Sequence, residues 1–360
     1  MLQATDPLGN IIHVPETLDE DSSYFSIEQL VAACAYYRDQ GYVVIRGLVA
    51  PELCDRVMAA FDRQARNSKV PILRQKNMRY ERNMFDSDGL LVNPIFNIQD
   101  LQSSHFGIFK QAVLDMYTDS GVTRVAASVL GCVGAGERVR LIESMFFEAP
   151  AGTWPHQDSY YQDSADSLGG ATAAWFALED IGARAGRFYV CPRSHREASP
   201  ILNHGKNNFG TGHNHYREAV LALARQHQFE WRAPYLAKGD VLFWNSLTIH
   251  GSLSQAAGSH ESRRSLTGHY LRRTDELLQF HTRLRHQKKS HHRGVEIGLL
   301  HDQDELRNRV ARTMAFHFPG LWATARSVAI KALVHSRGGE DLPAGVTERR
   351  IANPVSRASE

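Results

Sequence analysis

Apolar positions recur at helical spacing through SIEQLVAACAYYRDQG, which Ser26 opens and Gly41 closes. Ser26 and Gln29 stand at capping-box spacing. Gly41 falls just past the last turn, where a left-handed backbone costs glycine least. The β-branched run YVVIRGLV follows and reads as an edge strand between two helices. Pro51 then starts a second amphipathic helix, PELCDRVMAAFDRQARN. Ahead of these elements, residues 1–25 are polar and turn-rich, and a loosely held arm is expected there. Residues 70–105 are irregular and rich in Asn and Arg, whereas 107–131 return to a helical pattern that ends at Gly131.

The pattern changes at residue 138. RVRLIESMFFEAP, ATAAWFALEDI, GRFYVCP, DVLFWNSLTIH and SLTGHYLRR are short, aromatic and β-rich, with Gly, Pro, Asp and Ser between them. Many short strands separated by turn signals predict a β-sandwich or barrel. Residues 195–235 form a polar insertion, expected as a lid. Beyond Tyr270 the pattern reads as helical again, so 273–360 is expected to be a helical C-terminal extension.

Composition narrows the function classes. A chain of 360 residues holds one large domain or two ordinary ones. With 42% hydrophobic and 22% charged residues it can bury a real core. Lys and Arg number 41 against 39 Asp and Glu, and so small a basic excess argues against a dedicated nucleic-acid binder. Cys34, Cys54, Cys132 and Cys191 form no CxxC pair, which disfavours a thiolate zinc site or a disulfide framework and fits a reducing, cytoplasmic setting. Neither a signal-peptide pattern nor an apolar run of about 18 residues is visible, so no transmembrane segment is expected.

The candidate chemistry lies in WPHQDSYY. His156 and Asp158 are two apart, and on an extended segment such residues point to one side. His250 ends another predicted strand, DVLFWNSLTIH. Two imidazoles and one carboxylate from two strands make a facial triad that holds non-haem Fe(II) and leaves coordination positions open. Arg263 and Arg264 follow His250 by 13 and 14 residues, at the start of RRSLTGHYL. A guanidinium fork matches a carboxylate bidentately, so one of them suits the distal carboxylate of 2-oxoglutarate. Strand alternation lets only one of the two face inward.

Five segments in order, from about residue 38 to 272, resemble the phytanoyl-CoA dioxygenase family of Fe(II)/2-oxoglutarate oxygenases: DQGYVVIRGLVAPELCDRVMAAFD, SMFFEAPAGTWPHQDSYY, AAWFALEDIGARAGRFYVCPRSHR, KGDVLFWNSLTIHGSLSQ and RRSLTGHYL. The resemblance implies a mainly β domain over 26–272, a double-stranded β-helix (jelly-roll, cupin-like) core with flanking helices. It implies His156, Asp158 and His250 as catalytic iron ligands, with Fe(II), 2-oxoglutarate and O₂ as cofactor and cosubstrates. Arg263 takes the 2-oxoglutarate role, with Arg264 second, and Met145, Gln157, Trp175 and Ser252 line the cosubstrate pocket. His195 is expected to bond a loop. Two departures stand out: Arg193 replaces the usual Gly of P-G-S-H, and Arg187 and Phe188 replace a Cys-Leu pair. Related halogenases carry Gly or Ala where Asp158 stands, so hydroxylation or another oxidation is the expected outcome.

The remaining signals bear on partners. The basic loop 74–83, with Arg74, Lys76, Arg79 and Arg82, and the polar stretch 200–217 suggest a polar or anionic small molecule or biosynthetic intermediate, with Tyr160 and Tyr161 as candidate contacts. His213 and His215 read as lid polarity. The basic run 283–293 reads as a solvated face, or as a site for an anionic partner. Residues 318–336 form an amphipathic helix, for packing or for a membrane surface. Two rivals from other classes are a non-catalytic or sensing protein that keeps the fold, and a cupin-like metal enzyme with no use for 2-oxoglutarate.

Overall fold

The computed structural model describes residues 2–21, 23–132, 138–197, 211–279, 283–322 and 324–325. After a two-residue strand β1 (Tyr24–Phe25), Ser26 caps the entry to helix α1 (Leu30–Gln40), its N–H donating to Gln29 Oε1 at 3.0 Å. Gly41 ends the helix at φ +81°, with its N–H returned to Tyr37 O at 2.8 Å. Strand β2 (Tyr42–Ile45) is buried along its whole length and lies between two partners, so it is not the edge strand expected. YVVI is apolar on both faces, which is the mark of an interior strand.

Helix α2 (Pro51–Ala60) begins at Pro51. The expected helix over 107–131 is two helices, α3 (Ser103–Tyr117) and α4 (Ser120–Val129). Asp119 separates them and caps the second, accepting the Gly121 N–H at 2.8 Å. The irregular segment before them holds the short strand β3 (Ile95–Phe96) and a hairpin of Ile72–Leu73 with Tyr80–Glu81. Arg74 in that segment is wholly buried and donates to Asn93 O, Glu81 O and Asn83 Oδ1 at 2.9, 3.0 and 2.7 Å. It pins the loop from inside and presents no charge to a ligand.

The β-core is built from β4 (Val139–Phe147), β5 (Thr153–His156), β6 (Thr172–Ala177), β7 (Phe188–Val190), β8 (Val241–Asn245), β9 (His250–Ser252) and β10 (Ser265–Arg272). The stretch after Tyr270 does not turn helical as expected. It forms strands at Leu277–Gln279 and Arg283–Arg285, then β11 (Lys288–His292) and β12 (Val295–Leu299), before helix α6 (Leu306–His317). Arg293 and Gly294, at φ +48° and +80°, make a two-residue hairpin turn between β11 and β12. Two positive φ values in such a turn match the twist of the flanking strands.

The large sheet runs β11-β12-β4-β10-β6-β8-β2-β1, with β3 beside β4, and the small sheet runs β7-β9-β5. Trp175, Phe188 and Trp244 share one apolar cluster joining the two sheets, while Phe61, Phe109 and Phe146 interlock beneath the helices on the other face. This is the double-stranded β-helix with flanking helices. The N-terminal residues are not a loose arm: Leu2–Thr5 and Ile11–Val14 pair as a hairpin, and Ile12 and Val14 are buried in the cluster of Tyr189 and Trp231. Of the insertion, 198–210 lies outside the described residues, and helix α5 (Thr211–His227) fills much of the rest. Most of the amphipathic segment 318–336 also lies outside them. No helix among the described residues is long and apolar enough to cross a membrane.

Gly41 is a turn that resists substitution. A Cβ there would collide with His195 Nδ1 and meet Thr248 Oγ1 at 2.6 Å, on a backbone already left-handed. Gly41→Ala is expected to lower unfolding stability by about 2 kcal/mol, read as a lower denaturant midpoint at unchanged slope.

Candidate metal centre

His156 ends β5, His250 begins β9, and the two are register partners across that strand pair. Their ring centroids are 4.2 Å apart. Asp158 starts a single 3₁₀ turn, Asp158–Tyr160, directly after β5. His156 Nδ1 lies 2.9 Å from Trp154 O, and His250 Nδ1 lies 2.9 Å from Thr248 O. A carbonyl oxygen only accepts, so each Nδ1 carries a hydrogen, and Nε2 is the ring atom left to bind a metal. Both Nε2 atoms face Asp158 Oδ1, at 3.6 and 3.4 Å. One ligand atom from each of the three residues falls within 4.8 Å of the others, and no other such group occurs among the described residues.

The electrostatics suit a cation. Burial, and then the neighbouring His250, push the His156 pKa down to about 4, so the ring is neutral at pH 7. Burial alone would raise the Asp158 pKa, but His250 and His269 outweigh it and hold the carboxyl well below its usual range. Two imidazole nitrogens and an ionised carboxylate aimed at one point are the donor set that non-haem Fe(II) takes.

Three residues of this centre were not picked out from the sequence. The Trp244 indole N–H donates to Asp158 Oδ2 at 2.8 Å, His269 Nε2 lies 3.3 Å from the same oxygen, and Glu143 Oε1 lies 3.6 Å from His269 Nδ1. The signal for His269 was present. Arg263, Ser265, Thr267 and His269 all line one wall, a strict period of two along β10.

These side chains border a cavity that opens to solvent. Met145, Trp175, Ser252 and Arg263 all line it. The Arg263 guanidinium donates to Ala151 O at 2.8 Å and to Gly186 O. Burial pushes its pKa down to about 10, which leaves it charged at neutral pH. Arg264 turns the other way and pairs with Glu148 and Glu179, each at 3.3 Å. Gln157 is not on the cavity wall: its amide donates to Leu247 O at 2.6 Å and Glu197 O at 3.3 Å. The alternation that brings His156 and Asp158 together sends the residue between them to the opposite side.

Tyr160 and Tyr161 are off the wall as well. Tyr160 stacks on Tyr216 of α5 with ring centroids 3.6 Å apart. Tyr161 Oη lies 2.7 Å from His213 Nε2, and its ring stands edge-on to His156. Tyr216 Oη accepts the Gln157 N–H at 2.8 Å and donates to Gln157 O at 3.1 Å. His195 Nε2 lies 3.0 Å from Arg38 O and ties its loop to α1. In that loop Arg193 takes φ +68°, a conformation that suits glycine. Gln75, from the loop that Arg74 pins, reaches the cavity and had no sequence signal. In the basic run, Lys288 pairs with Asp302 and Glu305, Lys289 with Glu296, and Arg293 with Asp115.

A depressed His156 pKa fixes the sign of a pH effect. Between its unfolded value near 6.5 and its folded value near 4, the unfolded chain binds more protons. The metal-free protein is therefore expected to lose stability as pH falls from 6.5 to 4, by on the order of 3 kcal/mol, and His156→Gln should flatten that slope in urea titrations.

The phytanoyl-CoA dioxygenase (PhyH) family model matches residues 37–265. Among solved structures, the epimerase SnoN in complex with Fe³⁺, alpha ketoglutarate and nogalamycin RO is 17% identical, with 70% of this chain and 87% of that one covered at a TM-score of 0.50. The carbocyclase SnoK from nogalamycin biosynthesis is 17% identical, covering 70% and 88% at a TM-score of 0.49. EctD from S. alaskensis with bound Fe is 17% identical, covering 77% and 86% at 0.47. No curated protein matches the chain in sequence.

Proposed function

We propose that this chain, which belongs to the phytanoyl-CoA dioxygenase family and is an Fe(II)- and 2-oxoglutarate-dependent oxygenase, hydroxylates a polar small molecule. The observation that carries the reading is the aim of three donor atoms at one point, in a cavity that also receives the Arg263 guanidinium. In this reading His156, His250 and Asp158 hold Fe(II) and leave positions for the cosubstrate and O₂. Bound Fe(II) supplies the redox chemistry of the net reaction, in which R–H, O₂ and 2-oxoglutarate give R–OH, succinate and CO₂.

The chain's own residues bind, orient and shield. Arg263 receives the distal carboxylate of 2-oxoglutarate in a two-pronged pair, and its contacts to the Ala151 and Gly186 carbonyls hold the fork in place beforehand. Ser252 and Thr267 offer hydroxyls along the same wall, and Met145, Trp175 and Phe188 keep water from it. Phe147, Thr153 and Gln75 are left for the substrate, one aromatic ring and two hydrogen-bonding side chains, which suits a polar small molecule. A carboxylate at position 158 occupies the place a halide ligand would need, which favours hydroxylation over halogenation. A cupin-like enzyme without 2-oxoglutarate would have no use for a buried guanidinium in the cavity. Buried free thiols at Cys34, Cys54 and Cys191 accord with a cytoplasmic setting.

The test is succinate release from 2-oxoglutarate in the presence of Fe(II) and pools of small molecules. His156→Ala and Asp158→Ala are each expected to abolish substrate-coupled turnover, and wild-type turnover in either would refute the assignment. Arg263→Leu is expected to raise the KM for 2-oxoglutarate roughly 10- to 100-fold, the equivalent of one charge-assisted pair.

A further inference from the structure

The two oxygens of Asp158 have different surroundings. Oδ1 faces both imidazole Nε2 atoms, at 3.6 Å from His156 and 3.4 Å from His250. Oδ2 faces the Trp244 indole N–H at 2.8 Å and His269 Nε2 at 3.3 Å. An indole nitrogen only donates, so Oδ2 is an acceptor there. His269 sits between two carboxyl groups, with Asp158 on its Nε2 side and Glu143 Oε1 3.6 Å from its Nδ1. Next to an ionised carboxylate, a hydrogen on Nε2 attracts and a lone pair there repels.

Packing fixes both donors. His269 is buried, and it is the cross-strand partner of Glu143 in the β4–β10 register. The Trp244 ring stands at 80° to the His269 ring, with centroids 6.2 Å apart, and lies 4.8 Å from the His250 ring. One oxygen of Asp158 is therefore taken up by the protein while the other looks into the site.

We propose that His269, acting with Trp244, is a positioning residue that holds Asp158 as a one-oxygen ligand. This rests on the metal-centre reading above and adds a role for a residue which that reading leaves idle. With Oδ2 held by the Trp244 indole N–H and flanked by His269 Nε2, the carboxylate would offer a bound metal one oxygen, and the remaining coordination positions would stay open for cosubstrate and O₂. Partners behind a metal ligand commonly set affinity by 10- to 100-fold.

The probe is Co(II), titrated anaerobically into the full chain and followed by its visible absorption. His269→Leu keeps an apolar volume without a donor, and His269→Gln places an amide N–H near the Nε2 position. His269→Leu is expected to weaken Co(II) binding by at least about tenfold and to change the Co(II) bands, while His269→Gln recovers affinity to within about threefold and restores the bands. Wild-type affinity and bands in His269→Leu would overturn the proposal, as would equal losses in both variants. If thermal melts show that His269→Leu does not fold, His269→Asn replaces it, because its shorter amide cannot reach Oδ2. Failure of the wild-type chain to bind Co(II) would overturn the metal centre itself. Tight wild-type binding that ignores His269 would overturn only the positioning role.

Discussion

Each histidine of the centre is held by a hydrogen bond from its Nδ1 to the carbonyl two residues before it: His156 to Trp154, and His250 to Thr248. The rest of the site depends on this. The bond puts a hydrogen on Nδ1, which leaves Nε2 as the atom free to bind a metal, and the strand register then decides where Nε2 points. Because β5 and β9 place the two histidines opposite each other, one backbone device used twice brings two Nε2 atoms to one spot. Asp158 is carried to that spot by the 3₁₀ turn after β5. A short local turn and a long-range strand pairing thus meet at a single oxygen atom.

The charges of the molecule are sorted by the same alternation. Arg263 and Arg264 are neighbours, yet one enters the cavity and the other pairs with Glu148 and Glu179. Arg74 is buried under carbonyls, and Lys288, Lys289 and Arg293 face acids of the chain's own strands and helices. Among the residues that line the cavity, Arg263 is the only Lys or Arg among the described residues. In the proposed function, a single buried cation surrounded by aromatic and hydroxyl side chains is what would receive one carboxylate at that end of the cavity.

Much of this was legible in the sequence. The capping pair Ser26 and Gln29, the turn at Gly41, the start at Pro51 and the strands of the β-core rest on short-range rules that a single chain displays. His156, Asp158, His250 and Arg263 come together because period-two geometry is readable wherever the strands themselves are. The misses have equally local causes. Gln157 was carried over from the resemblance and Tyr160 and Tyr161 were offered as substrate contacts, although alternation and the following turn carry them to other faces. The strands after Tyr270 were hidden because Arg-Gly is a weak turn signal and the charged alternation of β11 resembles a solvated helix face. His269 and Glu143 matter only through a cross-strand register, which no single segment reveals.

Tyr216 grips the backbone unit of Gln157 from both sides, through its N–H and through its C=O. That unit is the span of chain between two of the three groups aimed at the centre. Helix α5 and the ligand segment are therefore tied at two points, so a shift of the helix would be expected to tilt the donor atoms. Substitutions on a helix that bears none of the three donor groups should register in the spectroscopy of the metal before they register in its stability.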